Sequence, residues 1–437
     1  MPSKESADLL VEARWVLPVA PANSVLSGHA VIVSAGQIAA IGPAADLLAR
    51  FEPGEHIQRN NHLLMPGFVN AHTHAAMTLL RGLPVRGPLM PWLRETIWPV
   101  EQRWMSPDFV RDGTQLAIAE MLRAGITTFG DMYLFPEETA RVAAAARVRA
   151  VIGLPVSEAA TAWADDATAY LAKAEQLWDE YKSNPWICLQ FAPHAPYSLS
   201  DATLQRVRRV ADELDARLAM HVHETEVEVH DSLSSHGRRP LRRLDELGLL
   251  RPGFTAVHMN RINDEDLETV VRTGIAVAAC PQSNLRLGSG SCPIAELVSL
   301  GIPLGLGTDG PASVGALDIL AEARTAALLA PGLAADNSLR LATLGSAATL
   351  GLSSAIGSLE PGKAADMICL DLDSLACQPD VSPVSAVLFG ATRQQISDVW
   401  IAGRAAVTAG RLLAFDEQEL AHLAQDWAQR IYGANAA

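Results

Sequence analysis

Along the middle of the chain, apolar residues come in short runs, and each run is followed by a longer stretch with apolar positions at helical spacing. The runs lie at 63–72, 125–132, 149–156, 186–193, 217–224, 254–260, 274–281 and 302–309. The helix-like stretches include 107–124, 137–147, 165–183, 200–215 and 264–273. Several open on Ser, Asp or Pro, residues that satisfy or dispense with the free N–H groups of a first helical turn. Eight strand–helix alternations predict an α/β fold, a (β/α)8 TIM barrel. A doubly wound open sheet produces the same alternation and stands second.

The two ends read differently. Residues 30–33 and 36–42 form a strand–turn–strand pattern, and 399–404 repeat it near the other end. Period-two apolar patterning with turn residues between predicts strands. The expected organisation is a small β-sandwich domain built from both termini, residues 1–65 and 364–437, around a barrel at 66–363. An amphipathic helix is expected at 416–432.

Composition narrows the function. At 437 residues and 49% hydrophobic, the chain can bury a large core, but no apolar run reaches the length of a spanning helix. The formal charge of −15 disfavours nucleic acid and anionic membrane as partners. Five scattered cysteines, none in a CxxC pair, and an N-terminus without a signal-peptide pattern point to a cytoplasmic protein without a cysteine zinc site. A small-molecule substrate and a homo-oligomeric state are expected.

Unusual polar residues fall at the ends of the expected strands. Strand 1 ends in His72-Thr73-His74, and in an extended strand residues two apart share a face, so both imidazoles can reach one point. Strand 2 leads to Asp131, strand 4 to His194, and strand 5 ends in His221-Val222-His223-Glu224. His258 closes strand 6, Ser283-Asn284 follow strand 7, and Thr308-Asp309 end strand 8. Six of the twelve histidines thus gather at the strand ends where barrels carry their catalytic groups. His72, His74, His221 and Asp309 form a candidate N3O ligand set that suits zinc, with iron or manganese as alternatives, and leaves a position for water.

These residues together resemble the amidohydrolase superfamily over essentially the whole chain. Glu224, three residues after His221, resembles the aminohydrolase branch, which includes adenosine, cytosine and guanine deaminases and triazine hydrolases. Two-metal members use a carboxylated lysine at the end of strand 4. The four lysines here, at 4, 173, 182 and 363, include none at that place, so one metal ion is expected. The resemblance implies that His72, His74, His221 and Asp309 hold the metal. It implies that Asp309 takes a proton from the attacking water and Glu224 carries it to the substrate's ring nitrogen. His258 would orient the attacking oxygen.

The segment 82–101 and the stretches Asp131-Met132-Tyr133, Pro193-His194-Ala195-Pro196-Tyr197 and Ser283-Asn284-Leu285-Arg286-Leu287-Gly288 are similar to the methylthioadenosine/S-adenosylhomocysteine deaminases. That similarity implies Glu101 on the ribose diol, with Trp92 and His194 also contacting the nucleoside. Segment 82–101, rich in Trp and Pro, is expected to be an ordered lid. Homologues that take S-adenosylhomocysteine carry arginines after strand 3, but here no arginine occurs between Arg149 and Arg206. The expected substrate is therefore 5′-methylthioadenosine, with adenosine next and S-adenosylhomocysteine poor. A guanine- or triazine-type aminohydrolase is the rival enzyme, and a non-catalytic scaffold the remote one.

Two motifs are set aside. Gly305-Leu306-Gly307-Thr308-Asp309-Gly310 imitates a dinucleotide fingerprint, but its aspartate would repel pyrophosphate. Gly357–Lys363 imitates most of a phosphate-binding loop, but Ala364 stands where a hydroxyl would hold magnesium, and a turn is expected.

Overall fold

The computed structural model describes residues 4–22, 24–379 and 381–433. Eight parallel strands form one sheet in sequential order: Phe68–Thr73, Ile126–Met132, Arg149–Val156, Ile187–Pro193, Arg217–Val222, Phe254–His258, Ala276–Ala279 and Leu304–Leu306. An isolated parallel bridge between Thr73 and Asp309 joins the first strand's end to the last, so the sheet closes as a barrel. The open-sheet alternative is thereby excluded. The strands are buried nearly throughout, which is why they read as continuous apolar runs instead of alternating ones.

The helices sit where their capping residues place them. Asp166 accepts the N–H groups of Thr168 and Ala169 to open Ala167–Tyr181, Ser200 caps Asp201–Glu213, and Asn263 caps Asp264–Thr273. The run at 63–72 divides. Residues Leu63 to Met65 belong to the long strand Phe51–Pro66, and the barrel strand begins only at Phe68. Gly67 stands at the division, where a Cβ would lie 2.3 Å from the Thr127 side chain.

A second sheet of nine strands draws on both ends of the chain. Phe51–Pro66 runs parallel to Glu5–Val16 on one side and antiparallel to Met367–Asp371 on the other. Its core joins Leu9, Val11, Val33 and Leu64 with Met367, Cys369 and Trp400. Arg59 donates to both oxygens of buried Asp398 at 2.7 Å, tying the two ends together.

Contacts divide the chain into two compact units. One comprises Met1–Val69, Ala119–Thr128 and Asp318–Asp416, and the other Asn70–Ile118, Phe129–Leu317 and Glu417–Ala437. The helix Glu417–Gly433 belongs to the second unit, where Trp427 Nε1 donates to Asp112 Oδ2 at 3.0 Å. No helix among the described residues is long and apolar enough to cross a membrane. The resemblance of 357–363 to a phosphate loop dissolves into a turn in which Lys363 Nζ is bonded to Ser358 and lies 2.9 Å from Glu360.

Candidate active site

The strand-end residues converge within the second unit. His72 and His74 leave strand 1 with their ring centroids 4.9 Å apart. His221, from strand 5, places Nε2 3.2 Å from Nε2 of His72. Asp309 Oδ1 lies 3.2 Å from His74 Nε2 and 3.6 Å from His72 Nε2. In two overlapping trios, His72, His74, Asp309 and His72, His221, His258, the potential ligand atoms lie within 4.8 Å of one another.

Backbone carbonyls decide which ring nitrogens face this point. His74 Nδ1 lies 2.5 Å from Met132 O, and His221 Nδ1 lies 2.8 Å from His194 O. A carbonyl can only accept, so both Nδ1 atoms carry protons and each Nε2 is left to present a lone pair. Metal-bound histidines are held by such outer hydrogen bonds. Imidazole nitrogens and a carboxylate, all turned to one buried point, repel each other unless a cation sits among them. The donor set therefore fits a divalent metal ion.

Asp309 occupies a strained backbone position, with φ of 61°. Its N–H donates to His72 O at 3.0 Å, and its carbonyl accepts from Thr73 Oγ1 at 3.0 Å. Gly307 makes this approach possible, since a Cβ there would lie 2.7 Å from His72 O. Gly307, one of the glycines that imitate a dinucleotide fingerprint, thus serves the junction of strands 8 and 1. Ser283 donates to Asp309 Oδ2 at 2.6 Å, leaving Oδ1 turned to the histidines. Burial resists ionisation of Asp309, but the neighbouring imidazoles of His72 and His74 prevail and hold its carboxyl well below the usual range.

Glu224 is buried, with Oε2 3.5 Å from His258 Nε2. Burial, reinforced by the charges of Asp309 and Glu228, pushes its carboxyl well above the ordinary value. Burial also pushes His258 down to about 4 and His194 down to about 4.

Glu101 lies in the short helix Trp98–Trp104 and accepts from the Tyr133 hydroxyl at 2.6 Å. Burial raises its carboxyl, with the tyrosine bond pulling the other way. The Tyr133 ring is 5.9 Å from that of His74, and the His194 ring is 5.2 Å from that of His221. Trp92 ends the helix Leu89–Trp92 and is buried, and its indole N–H has no partner among the described residues. Such an orphan donor is rare and suits a group waiting for a ligand. The segment 82–101, expected to be ordered, forms short helices over most of its length from Leu89 onward.

One of the six strand-end histidines does not join the cluster. His223 donates from Nδ1 to Arg261 O at 3.1 Å, while Nε2 accepts the N–H of Leu241 at 3.1 Å. With φ of 55° it turns the chain after strand 5 and faces away from its neighbours. Glu228 is not singled out by the sequence pattern. Its two carboxylate oxygens take the N–H groups of His223 and Glu224 at 2.9 and 2.7 Å. The available signal is Thr225-x-x-Glu228, a capping-box pattern at the start of helix Glu226–His236. That pattern forecasts a polar helix start, but not that the glutamate secures the preceding turn. Asn260 likewise carries no signal in the sequence, and Asn284 is marked only by its place after strand 7.

Residues 63–406 match the profile of the amidohydrolase family. A 5-methylthioadenosine/S-adenosylhomocysteine deaminase of Teredinibacter turnerae is 41% identical over 438 residues, covering 99% of each chain. One of the same name from Saccharophagus degradans is 40% identical, covering 100% of this chain and 99% of its own. Among solved structures, an adenosine deaminase from Xanthomonas campestris with bound zinc superposes with a TM-score of 0.97 at 44% identity, covering 99% of this chain and 100% of that one.

Proposed function

The chain belongs to the amidohydrolase family, and from that premise we propose that it deaminates 5′-methylthioadenosine hydrolytically, with adenosine as a second substrate and S-adenosylhomocysteine as a poor one. The observation that carries this reading is the convergence of His72, His74, His221 and Asp309 on one point, with buried Glu224 facing His258 beside it. Support for the substrate class comes from the activity for which the full-length relatives are named and from the zinc-bound adenosine deaminase.

One zinc ion, held by His72, His74, His221 and Asp309, would supply Lewis acidity that makes a water acidic near neutral pH. The residues around it do the rest. Asp309 Oδ1 accepts a proton from the attacking water. Glu224, neutral in its buried setting, gives its proton to the ring nitrogen beside the amino-bearing carbon and renders that carbon electrophilic. The water oxygen forms the new C–O bond. The proton of the newly formed hydroxyl then passes through the Glu224 carboxylate to the exocyclic nitrogen, the C=O bond forms as the C–N bond breaks and ammonia leaves, and the proton held on Asp309 restores neutral Glu224. Glu101 accepts hydrogen bonds from the two vicinal ribose hydroxyls, held in place by Tyr133. Trp92 offers its unpartnered N–H and His194 its ring to the nucleoside.

The absence of arginine between Arg149 and Arg206 favours an uncharged 5′-substituent over an amino-acid carboxylate. Ammonia release should be measured across methylthioadenosine, adenosine, S-adenosylhomocysteine, guanine, cytosine and a triazine. The highest kcat/KM is expected for methylthioadenosine. Ammonia from guanine or a triazine, with none from any adenosine, would overturn the reading.

A further inference from the structure

A chain of buried amides runs between the two groups that face each other across the site. Asn260 Nδ2 donates to the backbone carbonyl of Glu224 at 3.1 Å. Asn284 Nδ2 donates to Asn260 Oδ1 at 2.7 Å. His258 Nδ1 lies 2.9 Å from Asn284 Oδ1. His258 and Asn284 are 1% exposed and Asn260 8%, so each polar atom depends on these partners.

The polarity of this chain has a fixed origin. An asparagine side chain could be turned about, exchanging its oxygen and nitrogen, but the carbonyl of Glu224 only accepts. The Asn260 atom facing it must therefore be the amide nitrogen, and the oxygen of Asn260 must face Asn284. Asn284 in turn must present its nitrogen to Asn260 and its oxygen to His258. The imidazole must then carry its proton on Nδ1. Reversing either asparagine would set oxygen against oxygen at one link, and the other imidazole tautomer would set a nitrogen lone pair against Asn284 Oδ1, at a cost of about 1–3 kcal/mol for each unsatisfied group in a dry interior.

We propose that Asn284 and Asn260 are positioning residues that lock neutral His258 in the Nδ1–H tautomer, so that its Nε2 works at the site only as a hydrogen-bond acceptor. The inference deepens the deaminase reading and rests on it for the identity of the reaction. Nε2 lies 3.5 Å from Glu224 Oε2, beside the place assigned to the attacking water. As an acceptor, His258 takes the hydrogen of the attacking oxygen and turns that oxygen's lone pair to the substrate. As a donor it would compete for that lone pair and hold it back. The lock also begins at Glu224 itself, so the backbone of the proton carrier and the orientation of His258 are set by one continuous run of hydrogen bonds.

The test is the nitrogen NMR spectrum of the full chain, loaded with zinc and labelled with 15N-histidine. The His258 signals are assigned by their loss in His258→Gln. Protonated Nδ1 with unprotonated Nε2 is the expected pattern, and protonated Nε2 in the unaltered protein overturns the proposal whether or not any deamination is detected. In Asn284→Leu, His258 should lose its single tautomer, and kcat should fall roughly 10–100-fold with KM nearly unchanged. Asn284→Asp keeps an oxygen opposite Nδ1 but sets its other oxygen against Asn260 Oδ1, so it should restore the tautomer and only part of the turnover. In the leucine variant, a fall in kcat with the tautomer unchanged, or an unchanged kcat with the tautomer lost, would reject the positioning role. If the leucine variant fails to fold, the spectrum of the unaltered protein decides alone.

Discussion

Glu228 Oε2 accepts the backbone N–H of Glu224 at 2.7 Å, and Oε1 takes that of the residue before it at 2.9 Å. One carboxylate therefore holds the turn that aims another. In Glu228→Gln only one of the two amides keeps an acceptor, and the new NH2 group faces the other. The loss of stability should be about 1–3 kcal/mol, the cost of a buried N–H left unsatisfied. Turnover should fall roughly 10–100-fold, as for other groups that orient a reacting side chain. Thermal denaturation together with steady-state kinetics checks both, and an unchanged kcat would remove Glu228 from the positioning of Glu224.

Glu224→Gln retains shape but has no proton to carry. The metal content should stay stoichiometric while kcat falls about 10²–10⁴-fold, the usual contribution of a general acid–base. Elemental analysis alongside ammonia release separates the two effects. Near-normal turnover would reject the proton-carrying role.

Ser283 occupies Asp309 Oδ2 at 2.6 Å and so leaves Oδ1 to face the histidines. Ser283→Ala frees the carboxylate to rotate. Metal affinity should drop roughly 10–100-fold, as it does when a ligand loses its supporting hydrogen bond. Competition with a chelator, followed by activity on metal return, measures it. Equal retention of metal by both proteins would show that the serine has no such role.

Tyr133→Phe bears on pH. Burial lifts the Glu101 carboxyl above its ordinary value, and the Tyr133 hydroxyl draws it back. Removing that hydroxyl raises the carboxyl further. Glu101 must be ionised to accept both ribose hydroxyls, so the acid limb of kcat/KM should move to higher pH in the variant. A pH profile on adenosine tests the direction, and a limb that stays put or moves downward contradicts the role of Glu101.

In the nine-stranded sheet, Arg59 and Asp398 make the corresponding prediction for stability. Burial opposes ionisation of Asp398, yet the bonds from Arg59 and Ser397 hold its carboxyl below the ordinary value. A carboxyl depressed in the folded state stabilises the fold above its unfolded pKa of about 3.9, and that contribution is lost as pH falls through the folded value. Asp398→Asn should therefore lose about 1–3 kcal/mol at neutral pH, as for a buried charge left with a poorer partner. The gap between the Tm values of the variant and the unaltered protein should close in acid. A gap that widens in acid would have the sign wrong.

The sequence by itself determined the eight strand–helix alternations, the terminal strands and the identities of the converging side chains, while the closure of the sheet into a barrel was left to the structure. These follow from local physics. Buried parallel strands must read as unbroken apolar runs, helices announce themselves through caps such as Asp166 and Asn263, and His72 with His74 share a face because strand side chains alternate. The tertiary structure decided everything that depends on which atom of a residue faces which neighbour. His223 and His221 stand two apart at one strand end, and only the folded backbone shows that a positive φ carries the first of them away from the site. The run at 63–72 reads as one strand in the sequence, and only the fold divides it at Gly67, where Thr127 from another strand leaves no room for a Cβ. Glu228 and Asn260 are ordinary polar residues in the sequence and Ser283 is marked only by its place after strand 7; all three gain their significance from partners that the chain brings within 3.1 Å. A linear pattern encodes burial and period. Hydrogen-bond direction, tautomer and strain arise only when segments far apart in the chain are closed into one barrel.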